Sequence, residues 1–262
     1  NLLQFILLEK MVKYKKILKN NFLLLSLILI LGFILRFYSL LSTNFYPDEA
    51  IYYFATKDFV ENKISPWYTG IWQPPMFTWI NSIFVQALGL NEFSMRFPTV
   101  IFGALTILLV YFLGKLWFNN EIGVIASFII AVLPLHVVYS RIALSDIMLT
   151  FFLILSIFLA EYHIIKHWKP AIYLSGIIFA IAFLIKYNSL VVWGLYCLIV
   201  LTYTFLKARH NFRKYFFGLV ISNLIFGLTT LTLILLSGGI PMLIYAINNF
   251  AFLAVLQSSA LT

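Results

Sequence analysis

The sequence is poor in charged residues and holds a single cysteine. Asp, Glu, Lys and Arg make up 10% of the 262 residues, against about 25% in soluble domains, whereas 63% are hydrophobic and the mean hydropathy is +0.99. Cys197 has no second cysteine with which to form a disulfide or a thiolate metal site. The composition excludes an ordinary soluble domain and predicts a protein that lies in lipid.

The chain also lacks the alternation of transmembrane β-strands and several enzyme signatures. Strands of a membrane barrel alternate apolar and polar residues, which the run FLLLSLILILGFIL (22–35) does not do. No HExxH, P-loop, Rossmann glycine or GxSxG pattern is present, so metalloprotease, NTPase and hydrolase functions lack their motifs. The predicted fold class is therefore all-α, a polytopic transmembrane helical bundle.

Seven segments are long and apolar enough to span, since a spanning helix needs about 20 residues. A further segment, 74–89, contains Pro74, Pro75 and Asn81 and is predicted to be an interfacial or re-entrant helix. The predicted spans are 20–42, 97–117, 121–140, 147–165, 170–186, 189–206 and 215–236.

Basic residues fix the predicted orientation. With seven spans, the N-terminal basic run, the 118–121 turn with the neighbouring Lys115, and the loops HIIKHWK and KARHNFRK face the cytoplasm, which puts twelve of the eighteen Lys and Arg inside. This accounts for the net charge of +9 without nucleic acid. We expect a cytoplasmic N-terminus, a first extracytoplasmic loop over 43–96 with interfacial helices, and one transmembrane domain over 1–262. We also expect Met11 as a candidate start and truncation at the C-terminus.

Acidic residues are few, six of the nine lie at the predicted outer side, and three of these six are candidates for chemistry. Asp48 and Glu49 open an apolar periodic stretch after Pro47, where carboxylates either cap a helix or provide a general base. Asp146 directly precedes the fourth span and Arg141 stands five residues earlier. The pair is read either as structural glue or as part of a substrate site, because ionisable groups at membrane depth are functional candidates.

Two further cationic or titratable residues lie on the same side. Lys186 ends the fifth span, where it either snorkels to the headgroups or binds a phosphate. His136 follows Pro134 near the outer end of the third span, where a packed role is the more common one.

Five stretches, in this order and spacing, resemble the polyprenyl-phosphate-sugar-dependent glycosyltransferases of the GT-C fold. The similarity is closest to the dolichyl-phosphate-mannose–protein mannosyltransferases and the lipid A aminoarabinose transferase. The stretches are YPDEAIYY (46–53), WQPPMFTWINSIF (72–84), LGLNEFSMRFPTVIFG (88–103), PLHVVYSRIALSD (134–146) and IAFLIKYNSL (181–190).

The resemblance implies sugar transfer from a polyprenyl-phosphate donor to a protein, lipid or glycan acceptor on the outer face of the plasma membrane. Asp48 would be the general base and Asp146 a second catalytic carboxylate. Glu49 would position the acceptor or the loop, and Arg141 and Lys186 would stabilise the leaving phosphate.

The sequence departs from the family at Gln73, where relatives often carry a basic residue or His before the proline of the first loop. An amide still donates a hydrogen bond to phosphate but brings no charge. We include Gln73 and His136 among the predicted substrate-binding residues. Some GT-C relatives use a divalent metal; no metal or other cofactor is predicted here.

Two other functions remain open at this point. A secondary transporter would place Asp48, Asp146 and Arg141 in a substrate or proton pathway, although transporter sites usually lie near the bilayer midplane. The third reading is a non-catalytic membrane subunit.

Overall fold

The computed structural model describes residues 21–38, 40–42, 44–68, 74–207 and 212–239. Every regular element within these ranges is helical, as the sequence predicted, and one 3-10 turn covers Pro66–Tyr68. The α-helices in chain order are α1 (Asn21–Phe37), α2 (Pro47–Val60), α3 (Met76–Leu88), α4 (Glu92–Trp117), α5 (Asn120–Val132), α6 (Pro134–Tyr139), α7 (Ser145–Lys166), α8 (Lys169–Ile185), α9 (Ser189–Lys207) and α10 (Phe212–Leu236).

Four of these helices are long and apolar enough to cross a membrane, namely α4, α7, α9 and α10. The helices α1, α5 and α8 are apolar but shorter, and each overlaps a predicted span. The remaining apolar helix, α3, has 13 residues and a length of about 20 Å, less than the roughly 30 Å of a hydrocarbon core. Its length fits the predicted interfacial or re-entrant role.

The predicted third span, 121–140, is wrong as one continuous helix. It is broken at Leu133, whose extended backbone separates α5 from α6. Pro134 causes the break because it has no N–H to give to the carbonyl of Ile130 one turn earlier. The first span also ends at Phe37 rather than at 42.

Small residues allow the helices to approach closely. A Cβ on Gly114 would lie 2.9 Å from the Cα of Gly123, so α4 and α5 meet with their backbones almost in contact. Ser156 and Ser175 each donate a hydrogen bond to the other's carbonyl, at 2.8 and 2.9 Å, which joins α7 to α8. Close packing through small and hydroxyl residues is how helices associate in lipid. The resulting bundle supports the loops at its rim.

Candidate active site

A buried ion pair between Glu49 and Arg96 organises the first loop. Both side chains have no exposed surface, and Arg96 donates two hydrogen bonds to the carboxylate, from Nε to Oε1 at 2.8 Å and from Nη2 to Oε2 at 2.9 Å. Arg96 also donates to the carbonyls of Leu40 and Asn44, at 2.9 and 3.1 Å. One guanidinium thus fixes both the start of α2 and the segment that connects α1 to it.

Glu49 also holds the turn that precedes Asp146. Its carboxylate accepts from the backbone N–H of Ala143 at 2.7 Å and from that of Tyr46 at 3.0 Å. Burial favours a raised pKa of this carboxyl, but the hydrogen bonds from Arg96, Ala143 and Tyr46 and the charge of Arg96 outweigh burial and lower the pKa. Both oxygens are used within the chain and the side chain is closed to solvent. Of the two roles that the resemblance implies, Glu49 therefore fits positioning of the loop rather than contact with the acceptor.

Asp48 lies beside Glu49 but is exposed. It occupies the first turn of α2, where a carboxylate is favoured by the positive end of the helix dipole. Successive residues of a helix lie about 100° apart, so burial of Glu49 turns Asp48 towards the open side. Among the residues that the structure describes, no Lys, Arg or His lies within ion-pair distance of its carboxylate. Asp48 is thus a carboxylate available to a bound molecule.

Asp146 and Lys186, both predicted site residues, form an ion pair at the same rim. Asp146 lies in the first turn of α7 and Lys186 directly follows α8. The distance from Lys186 Nζ to Asp146 Oδ1 is 2.8 Å, and the side chains are 23% and 41% exposed, respectively. Arg141 is half-buried in the turn that Glu49 holds through Ala143.

Tyr52 lies between the two acidic centres. It is buried one turn after Asp48 in α2, and its hydroxyl donates to Ser145 Oγ at 3.2 Å. Burial raises the pKa of this phenol; the hydrogen bond to Ser145 and the charge of Lys186 lower it, whereas the charges of Asp146 and Asp48 raise it further. The Tyr52–Ser145 and Glu49–Ala143 hydrogen bonds join the first turns of α2 to the turn before α7, so Asp48 and Asp146 lie at the same rim of the bundle.

A cavity of about 360 Å³ opens beside Asp146 at this rim. Its wall includes His136, Tyr139, Asp146 and Thr150, so the structure brings together the predicted residues His136 and Asp146. Gln73 lies outside the described residues. Over the described ranges, no group of three or more His, Cys, Asp or Glu side chains is arranged to hold a metal.

Three residues that organise the site were not assigned a role from sequence. They are Arg96, Tyr52 and Arg36, and Arg36 donates to the carbonyls of Ile130 and Ala131 and lies 2.8 Å from Nδ1 of the predicted site residue His136. Arg96 and Tyr52 both lie within stretches that carry the family resemblance, and Arg36 ends the first span. For Arg36 the signal in the sequence was a single arginine in an otherwise apolar helix. Such a residue indicates a functional or structural site, because a buried cation requires partners. That signal does not say which residues the partners are.

The site can now be compared with known proteins. The sequence profile of the family described as dolichyl-phosphate-mannose-protein mannosyltransferase matches residues 72–226, more than half of the chain. An uncharacterised protein of Aquifex aeolicus (strain VF5) is 31% identical over 140 residues, which cover 51% of this chain and 28% of that protein. An undecaprenyl phosphate-alpha-4-amino-4-deoxy-L-arabinose arabinosyl transferase of Wigglesworthia glossinidia brevipalpis is 30% identical over 173 residues, 61% of this chain and 31% of that protein.

A solved structure has a similar fold. The crystal structure of the Archaeoglobus fulgidus oligosaccharyltransferase, tethered to an acceptor peptide, superposes with a TM-score of 0.62 over 78% of this chain and 29% of that one. At 16% identity the likeness concerns the fold alone. The chain spans less than a third of the length of each of these curated relatives. The family match, the helical fold and the four helices long and apolar enough to cross a membrane show to which family the chain belongs. It is a member of the dolichyl-phosphate-mannose-protein mannosyltransferase family, a family of multi-pass membrane glycosyltransferases of the GT-C type.

Proposed function

We propose that the protein transfers a sugar from a polyprenyl-phosphate carrier to an acceptor on the extracytoplasmic face of the plasma membrane. The observation that carries this proposal is that an exposed carboxylate, Asp48, and the Asp146–Lys186 pair lie at one rim, where the Glu49–Ala143 and Tyr52–Ser145 hydrogen bonds join α2 to the start of α7. A membrane relative named as using an undecaprenyl-phosphate sugar supports the donor class.

Asp48 is the proposed general base. It accepts the proton of an acceptor hydroxyl while the oxygen of that hydroxyl attacks the anomeric carbon of the sugar. The bond from this carbon to the phosphate oxygen breaks, and the polyprenyl phosphate leaves with the electron pair. A single displacement of this kind inverts the anomeric carbon. A base of this type contributes about 10²- to 10⁴-fold to a rate, and the exposure of Asp48 suits a group that must reach the acceptor.

Lys186 and Arg141 are the proposed partners of the leaving phosphate. An ammonium has three N–H donors, and Asp146 takes one of them at 2.8 Å, which leaves two for phosphate oxygens. Asp146 thereby acts on the reaction by orienting Lys186. Fixed cations facing a developing phosphate charge stabilise the transition state without reorganisation. Arg141 is positioned through the turn whose Ala143 N–H donates to Glu49.

The acceptor class is the broader part of the proposal and covers a protein, lipid or glycan hydroxyl or phosphate. The lipid tail of the donor is proposed to lie along the apolar outer surfaces of the helices, many of whose large hydrophobic side chains are exposed. The cytoplasmic N-terminus and the outer position of the site are proposed from the distribution of basic residues.

The experiment uses the full-length protein in membrane vesicles with radiolabelled sugars on undecaprenyl phosphate. We expect label to pass from the carrier to a lipid, glycan or protein fraction, and we expect no transfer from the corresponding nucleotide sugars. Transfer from nucleotide sugars at the same rate, or no transfer from any lipid-linked sugar, contradicts the proposed donor class.

A further inference from the structure

The two ring nitrogens of His136 have different surroundings. His136 is 8% exposed, and its Nδ1 lies 2.8 Å from Nη2 of Arg36. Its Nε2 is buried and has no hydrogen-bond partner in the part of the chain that the structure describes. An unpaired buried polar group costs about 1–3 kcal/mol, so the unpaired Nε2 calls for an explanation.

Arg36 fixes which nitrogen carries the hydrogen. A guanidinium is only a donor, so Nδ1 must accept, and the ring is neutral with its hydrogen on Nε2. Ser140 Oγ lies 3.3 Å from Nδ1, but its own hydrogen goes to the carbonyl of His136 at 2.6 Å. The neutral Nε2–H form follows from these donors alone.

The position of Arg36 is set by the break between α5 and α6. Its Nη1 and Nη2 donate to the carbonyls of Ala131 and Ile130, both at 3.0 Å. Pro134 has no N–H to donate to the carbonyl of Ile130. Arg36 donates to this carbonyl instead and at the same time contacts the imidazole of His136. Arg36 is fully buried, and its Nη1 also donates to the carbonyl of Gly32 at 2.8 Å.

We propose that Arg36 is a positioning residue that locks His136 as a neutral Nε2–H donor for an acceptor oxygen of the bound lipid-linked substrate. His136 shares the wall of the 360 Å³ cavity with Asp146, whose partner is Lys186. Nε2 has no accessible surface of its own in this structure. A molecule bound in the cavity therefore supplies the partner that Nε2 lacks only after a local shift of the imidazole or of the cavity wall. The oxygen comes from the phosphate or from a sugar hydroxyl of the donor. This inference rests on the proposed function for the identity of the ligand, but not for the state of the ring.

Nuclear magnetic resonance of ¹⁵N-histidine-labelled full-length protein tests the ring directly. We expect the His136 signals, assigned by their loss in His136→Gln, to show a protonated Nε2 and an unprotonated Nδ1. His163 is the internal control, because its Nδ1 lies 3.1 Å from the carbonyl of Trp168 and therefore carries a hydrogen. A protonated Nδ1 on His136 overturns the proposal. In Arg36→Met we expect both neutral forms of the His136 ring, with the hydrogen on Nδ1 or on Nε2. If the ring of this variant stays entirely in the Nε2–H form, Arg36 is not a positioning residue.

Ligand addition tests the missing partner. Undecaprenyl phosphate carrying a sugar is expected to shift the Nε2 signal of His136, whereas undecaprenol is not. A shift with undecaprenyl phosphate alone assigns the phosphate as the source of the oxygen, and a shift that requires the sugar assigns a sugar hydroxyl. No shift with either phosphate lipid overturns the ligand role. If the ring behaves as expected but no sugar is transferred, the proposed function fails and the locked form of His136 stands.

Paired substitutions separate binding from packing. The amide of Gln reaches the place of Nε2, whereas that of Asn reaches the place of Nδ1 and keeps the contact with Arg36. We expect His136→Asn to melt near the wild type yet to lose about tenfold or more in donor affinity, the effect of one hydrogen bond to a charged or polar oxygen. His136→Gln is expected to bind the donor better than His136→Asn while melting lower. The reverse order of donor affinities contradicts the proposal.

Discussion

Removal of the Glu49 carboxylate is expected to destabilise the protein strongly. Glu49→Ala leaves the buried guanidinium of Arg96 with only the partly exposed carboxylate of Glu92, 3.8 Å away, as a counter-charge, and leaves the N–H of Ala143 without its 2.7 Å acceptor. Breaking a buried pair by deleting one partner costs about 3–5 kcal/mol. For a protein of this size each kcal/mol changes the melting temperature by roughly 2–4 °C, so we expect a decrease of about 6–20 °C.

The assay is thermal unfolding of the purified full-length protein in detergent, followed by the loss of its monodisperse chromatographic peak. The matched control is Glu61→Ala at the opposite end of α2, where the pair of Lys57 and Glu61 is exposed and 3.9 Å long. An exposed pair contributes about 0–1 kcal/mol, so the control should melt within a few degrees of the wild type. A Glu49→Ala variant that melts with the control refutes the role given to the buried pair.

Three further predictions concern pH, orientation and coupling. Glu49 has a lowered pKa, so its contribution to stability is full above the ordinary pKa of 4.5 and is lost as the pH falls through the lower pKa of the folded state. The difference in melting temperature between the wild type and Glu49→Gln should therefore become smaller in acid. A difference that stays constant with pH contradicts this assignment. In a cysteine-free background, an impermeant thiol reagent applied from outside should label Glu61→Cys but not Lys214→Cys, and the opposite pattern overturns the orientation. A double-mutant cycle of Asp146→Asn and Lys186→Met should show coupling of at least about 0.5 kcal/mol in donor affinity, whereas additive effects contradict the orienting role of Asp146.

The helical bundle and the position of Asp146 and Lys186 on one side were predictable because each depends on local or ordered sequence signals, whereas the partner that the sequence suggested for Asp146 was Arg141 and the ion-pair partner observed is Lys186. The lengths of the apolar runs predicted the helices, and the number of spans between Asp146 and Lys186 placed both residues on the same side of the membrane. The different fates of Asp48 and Glu49 were not predictable. Adjacent carboxylates look alike in sequence, and which one turns inward is decided by Arg96, which lies 47 residues further along.

The break in the third predicted span has a cause that is visible in the sequence, namely Pro134, but the prediction did not place a helix end there. Pro134 follows a long apolar run, and a proline within such a run ends or kinks a helix. What the sequence could not supply was the consequence, namely that Arg36 from another helix would take over the carbonyls released at the break and contact His136. Contacts over about a hundred residues depend on tertiary packing and not on local pattern.

The most direct test of the site is the rate of sugar transfer by Asp48→Asn in the full-length protein, with donor binding measured in parallel. The matched control is Asp58→Asn, a second aspartate of α2 whose carboxylate accepts from the side chain of Asn62 at 2.9 Å. The proposed mechanism predicts that Asp48→Asn binds the donor like the wild type but transfers about 10²- to 10⁴-fold more slowly, while Asp58→Asn transfers normally. Wild-type turnover by Asp48→Asn would show that Asp48 is not the base.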